Sequence, residues 1–122
     1  MKALAVKRVS FDAAHFLLNY PGKCSRLHGH HFVVEVGVRG EISAETGMVV
    51  DFKWLKDALE SICEIFDHGL VNDYIDNPTA ENIARYIWDK LEDEWIQSPT
   101  EPIRMAFVRV WETPDSYAEV EQ

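Results

Sequence analysis

The stretch Cys24-Ser25-Arg26-Leu27-His28-Gly29-His30 runs directly into His31-Phe32-Val33-Val34-Glu35-Val36-Gly37-Val38-Arg39. Its second half decides the fold. Phe32, Val34, Val36 and Val38 alternate with Val33, Glu35, Gly37 and Arg39, the period of a strand with one buried face. A strand is predicted from His31 to Glu41. His28 and His30 share the parity of Phe32, so a strand running back regularly would put both imidazoles at the end of its apolar face. A bulge there would spoil that placement. Upstream, Ala3 to Phe11 is rich in small and β-branched residues and reads as a second strand. His15 lies just beyond it, in Phe11-Asp12-Ala13-Ala14-His15. If these two strands pair, His15 joins His28 and His30. Three neutral ligands with an open fourth position are the pattern of catalytic zinc, whereas structural zinc is closed by four protein ligands.

The remaining chain supplies helices. Asn19-Tyr20-Pro21-Gly22-Lys23 is turn chemistry, and Ser43 to Gly47 is a loop. Asp51 is a plausible N-cap. Leu55, Ala58, Leu59, Ile62 and Phe66 then form an apolar stripe, predicted to stop near Asp67-His68-Gly69, where glycine suits a helix end. Asn72 to Pro78 reads as a connecting loop. Thr79 is the next N-cap, with Glu81 in the first turn, and Ile83, Ala84, Ile87 and Leu91 make a second stripe reaching Trp95. Ser98-Pro99-Thr100-Glu101-Pro102 breaks the chain. Ile103 to Glu112 is a strand, Thr113-Pro114-Asp115 turns, and Tyr117 to Val120 is a short last strand. The predicted order is strand, strand, helix, helix, strand, strand.

At 122 residues this is one domain, 1–122, long enough to bury a core without disulfides. The net charge of −9 argues against a nucleic-acid surface, which needs a basic stripe. No window is apolar enough to span a membrane, and the N-terminal run is too short for a signal peptide. Two cysteines make no disulfide framework and suit a reducing cytoplasm.

Any single histidine is usually a surface or hydrogen-bonded side chain. The His-Gly-His pair with a third imidazole one hairpin away favours a metal, zinc ahead of copper, iron or nickel. His31 has the opposite parity and is left out. Most free cysteines are small buried residues, and Cys63, among Ile62, Ile65 and Phe66, reads as core. Cys24 is different. It sits in a loop four residues before a ligand, and Lys23, Arg26 and a metal would favour its thiolate. It is either a fourth ligand or a general base. In Asp67-His68, the carboxylate can orient and strengthen the imidazole as an acid–base; the plainer reading is a histidine at a helix end. Glu112, otherwise a solvated strand end, can accept two parallel hydrogen bonds from a guanidine-like edge.

Phe11 to His15, Cys24 to His30, Gly47 through Val50-Asp51-Phe52, Asp67-His68, Asn77-Pro78-Thr79-Ala80-Glu81-Asn82 and Glu112-Thr113 together resemble the 6-pyruvoyl-tetrahydropterin synthase family. The likeness is closest to its bacterial branch, the 6-carboxytetrahydropterin synthases of queuosine precursor synthesis. The resemblance implies an α+β T-fold, ββααββ. Four antiparallel strands carry two helices between strands two and three, and the sheets of three copies close into an oligomeric barrel, as trimers or dimers of trimers. Active sites would lie between subunits, so Asp67 and His68 would serve a neighbour's zinc. It further implies that His15, His28 and His30 bind Zn2+, and that the substrate is 7,8-dihydroneopterin triphosphate. Cys24 would be general base, Asp67 and His68 a proton relay. Glu112 would anchor the pterin, with Thr113 and Thr79 nearby. The implied products are 6-carboxy-5,6,7,8-tetrahydropterin, acetaldehyde and triphosphate. The biopterin branch would give 6-pyruvoyl-tetrahydropterin instead, and a homologue without catalysis would only bind pterin or zinc. The short spacing from Cys24 to His28 resembles the queuosine branch. A folate-directed branch tends to carry glutamate at the cysteine position, so Cys24 argues against it.

Overall fold

The computed structural model describes residues 1–95 and 103–122, and the side chain of Trp95 is not described. The predicted break at Ser98–Pro102 lies outside them. Strand β1 spans Lys2–His15 and β2 spans His28–Glu41. They pair antiparallel over their whole length, from Lys2 opposite Glu41 to His15 opposite His28. Both strands are therefore longer than the apolar alternation alone indicates. The extension carries all three histidines onto regular strand.

Helix α1 covers Phe52–Cys63, and Asp51 caps it by accepting the Lys53 N–H at 2.8 Å. It ends earlier than predicted. Phe66 and Asp67 donate back to the carbonyls of Cys63 and Glu64 in tight three-residue turns. The left-handed residue is His68, at φ 58°, not Gly69. Gly69 instead begins β3, Gly69–Leu70, which pairs parallel with Ala13–Ala14. After a 3-10 turn at Val71–Asp73, α2 runs Ala80–Trp95. Thr79 caps it as predicted, its hydroxyl accepting the Asn82 N–H at 3.1 Å. Strands β4, Ile103–Thr113, and β5, Ser116–Val120, complete the chain.

The sheet thus has five strands among the described residues, in the order β3-β1-β2-β4-β5. It is not the four-stranded antiparallel sheet expected. β3 separates the two helices in sequence and pairs parallel, because the chain leaving α1 returns along the outer edge of β1. The predicted last strand is present.

Phe32, Val34, Val36 and Val38 are fully buried and belong to one core with Leu55, Leu59, Ile62, Ile83, Ile87 and Leu91 from the helices. On the opposite sheet face Leu4 and Val6 remain exposed. That face carries a polar and aromatic layer. Arg8 lies 3.4 Å from Glu35, which also accepts the Trp111 indole N–H. Phe107 lies over Gly37, next to a bulge where the β2–β4 register shifts. A Cβ built on Gly37 would stand 2.2 Å from the Phe107 ring. Gly37→Ala must displace that ring. It is expected to lose about 1–3 kcal/mol of stability, measured as a lower urea midpoint with unchanged slope.

Candidate metal centre and adjoining clefts

Three imidazoles converge where β1 and β2 meet. One ring nitrogen from each of His15, His28 and His30 lies within 4.8 Å of the others. His15 is 1% exposed. Its Nδ1 lies 2.8 Å from the Pro78 carbonyl, and Nδ1 of His28 lies 2.7 Å from the Arg26 carbonyl. A carbonyl only accepts, so both Nδ1 atoms carry the proton. In the neutral form of each ring Nε2 then carries a lone pair, and the two Nε2 atoms face each other at 3.1 Å. Two lone pairs at that distance repel unless a cation stands between them. The donor set therefore fits a metal ion, with backbone carbonyls holding the Nδ1–H of two rings and so fixing their tautomers.

The electrostatics agree. Burial holds the His15 imidazole below its ordinary pKa, opposed by the Pro78 hydrogen bond and the Glu112 charge, with His28 and His30 lowering it further. Burial likewise lowers His30, against Glu112. A neutral imidazole is the form that binds metal.

Glu112 borders a cavity of about 490 Å³ shared with His30, Trp111 and Thr113. It lies on β4 one residue past Val33–Trp111, the last pair between β2 and β4, where the pairing of β4 with β5 shifts register. The Thr113 hydroxyl donates to Asp115 at 2.7 Å and so serves the β4–β5 turn. Asp67 and His68 form a pair at 2.9 Å on the outer edge of β1. Asp67 Oδ1 accepts the Asp12 N–H at 3.0 Å, and the His68 N–H donates to the Asp12 carbonyl at 2.6 Å. The Asp12 hydrogen bond, then His68, holds the Asp67 carboxyl below its usual range. Asp67 in turn raises His68. His68 and His30 line one shallow depression.

Cys24 is half-buried in a 3-10 turn, Lys23–Ser25, and its sulfur is not among the converging ligand atoms. Cys63 is core as predicted, its thiol pushed up to about 12 by burial. His31, set aside on parity, points to Asp12 at 2.8 Å and is exposed. Sequence reasoning did not single out Pro78 as the carbonyl partner of His15, or Asn72 and Asn77, whose amides bind the chain after His15. They sit in the Asn72–Pro78 loop, of which Asn77 and Pro78 enter the sequence reading only through the family resemblance, with no role assigned.

The sequence model described as 6-pyruvoyl tetrahydropterin synthase matches residues 5–122. A Synechocystis protein named 6-carboxy-5,6,7,8-tetrahydropterin synthase is 44% identical over 94 residues, covering 71% of this chain and 73% of its own. A Pyrococcus furiosus protein named dihydroneopterin monophosphate aldolase is 43% identical over 91 residues, covering 75% of this chain and 76% of its own. Among solved structures, 6-pyruvoyl tetrahydropterin synthase of Caenorhabditis elegans superposes with a TM-score of 0.85 at 27% identity. That match covers 100% of this chain and 96% of the other. A match over nearly the whole chain, in sequence and in fold, places this protein in the 6-pyruvoyl tetrahydropterin synthase family.

Proposed function

We propose that the protein is a zinc-dependent lyase. It converts 7,8-dihydroneopterin triphosphate and water to 6-carboxy-5,6,7,8-tetrahydropterin, acetaldehyde and triphosphate, in queuosine precursor synthesis. The observation that carries the reading is the convergence of His15, His28 and His30 within the electrostatic reach of Glu112. These histidines would hold zinc, which supplies a Lewis acid for the hydroxyls of the substrate side chain. Glu112 accepts the paired N–H groups of the pterin edge, with Thr113 beside it on the same cavity. Cys24 takes a proton from the side chain as general base. His68, held protonated to higher pH by Asp67, returns one.

The last assignment has a pH consequence. Asp67 raises the His68 pKa, so removing the carboxylate lowers it. Asp67→Asn is expected to shift the limb of the kcat profile on which His68 loses its proton to lower pH. A limb that stays in place would take His68 out of the chemistry.

Assembly follows the same reading. Among the described residues β1 pairs on its outer side only at Ala13–Ala14, and the five-residue β5 forms the opposite edge. Side-by-side joining of copies through these edges, into trimers or pairs of trimers, would leave no open edge. No described helix is long and apolar enough to cross a membrane. The two free cysteines suit a reducing cytoplasm.

A second reading has its own support. The Pyrococcus aldolase is as similar to this chain as the Synechocystis synthase. Aldol cleavage breaks a carbon–carbon bond and leaves the phosphate ester whole. Mass analysis of zinc-loaded protein incubated with the triphosphate, and separately the monophosphate, of 7,8-dihydroneopterin tells them apart. The proposal expects equal amounts of 6-carboxy product, acetaldehyde and free triphosphate. A 6-pyruvoyl product without acetaldehyde moves the enzyme to the biopterin branch. Cleavage of the monophosphate with the ester intact makes it an aldolase. No turnover with zinc bound makes it a binding homologue.

A further inference from the structure

The chain leaving His15 is held in an unusual way. The backbone ladder between β1 and β3 ends at Ala14–Leu70, and the chain after Leu70 turns away in the 3-10 turn. A side chain continues the ladder in its place. The Phe16 N–H donates to Asn72 Oδ1 at 3.0 Å, and Asn72 Nδ2 donates to the Phe16 carbonyl at 3.0 Å. Two residues on, the Leu18 N–H donates to Asn77 Oδ1 at 3.0 Å. Between them, the Leu17 N–H turns the other way and donates to the Cys24 carbonyl at 2.8 Å. Phe16 to Leu18 is therefore a strand-like stem, with two amides on one side and the backbone of Cys24 on the other.

Asparagines commonly satisfy loop backbone and do nothing more. Here the N–H groups of Phe16, Leu17 and Leu18 tie the segment after a metal ligand to Asn72, to the backbone of Cys24 and to Asn77 in turn. We propose that Asn72 and Asn77 are positioning residues that set where Cys24 stands relative to the three-histidine centre. The proposal rests on the general-base role of Cys24 given above. His15 itself is held separately, by its strand partner His28 and by the Pro78 carbonyl. Loosening the stem thus displaces Cys24 and leaves the ligands in place.

The test uses four variants of the full chain, loaded with zinc. Asn77→Asp keeps the oxygen that Leu18 needs and is expected to behave as the parent protein. Asn77→Ala and Asn72→Ala lose the stem contact. Asn72→Asp also fails, because it loses the donor and sets an anionic oxygen against the Phe16 carbonyl. These three are expected to lower kcat by about 10–100-fold, the cost of roughly 1 Å of misplacement, at unchanged KM and zinc affinity. They should also change the rate at which iodoacetamide alkylates Cys24. Cys63 does not confuse that measurement, since burial pushes its thiol up to about 12. Parent-like kcat and alkylation in Asn72→Ala and Asn77→Ala would overturn the proposal. So would zinc loss in step with activity, or failure of Asn77→Asp to restore Asn77→Ala. If Cys24→Ser is itself fully active, the catalytic reading fails instead, while the alkylation series still judges the positioning.

Discussion

Replacing His15 with alanine is expected to remove zinc binding and turnover together. His15 is fully enclosed, its Nδ1–H fixed on Pro78 and its Nε2 facing that of His28. Its removal leaves two ligands, both from the start of β2. Removing only a group that hydrogen-bonds a ligand typically costs about 10–100-fold in metal affinity or activity, so loss of a ligand should exceed roughly 100-fold. The metal-free variant should also be less stable than the metal-free parent. The Pro78 carbonyl loses its donor inside the protein, which costs about 1–3 kcal/mol. Competition with a chromophoric chelator measures the first effect and chemical denaturation the second. A variant that keeps parental zinc affinity would show that the imidazole cluster is not the metal centre.

Cys24→Ser is expected to have the opposite signature in metal binding. The sulfur lies outside the converging ligand set, so zinc content and affinity should be unchanged. Turnover should fall by about 10²–10⁴-fold, the usual range for loss of a positioned general base. Substrate affinity, read as KM, should change little, because the residue proposed to hold the pterin edge is Glu112, outside the loop of residues 23–25. Zinc loss in this variant would make Cys24 a ligand. Full activity would leave the reaction without its base.

The β2 strand was legible because one of its faces is wholly buried. Alternation is strict under that condition, and a strict period also fixes the parity of His28 and His30. The antiparallel pairing with β1, in the register the folded chain adopts, then places His15 opposite His28. The end of α1 was not legible. Phe66 continues the apolar stripe and is fully buried, but it reaches the core from a turn rather than from helix. The glycine that marks a helix stop on statistical grounds is spent on β3, and His68 takes the left-handed conformation. β3 itself is two residues long and leaves no periodic trace. Neither do the amides of Asn72 and Asn77. Their partners lie 56 and 59 residues away in sequence, and only the folded chain brings side chain and backbone together. His31 was excluded from the metal set by parity, and the structure gives it a partner, Asp12, away from that set.

Three imidazoles, and no thiolate, are proposed to hold one zinc ion in this chain. X-ray absorption at the zinc edge of the stoichiometrically loaded protein addresses this directly. Nitrogen and oxygen scatterers only are expected, with imidazole shells at about 2.0–2.1 Å and a fourth light atom. A sulfur shell at about 2.3 Å would place Cys24 on the metal and contradict its role as a free base. Failure to load zinc at one ion per chain would contradict the centre itself.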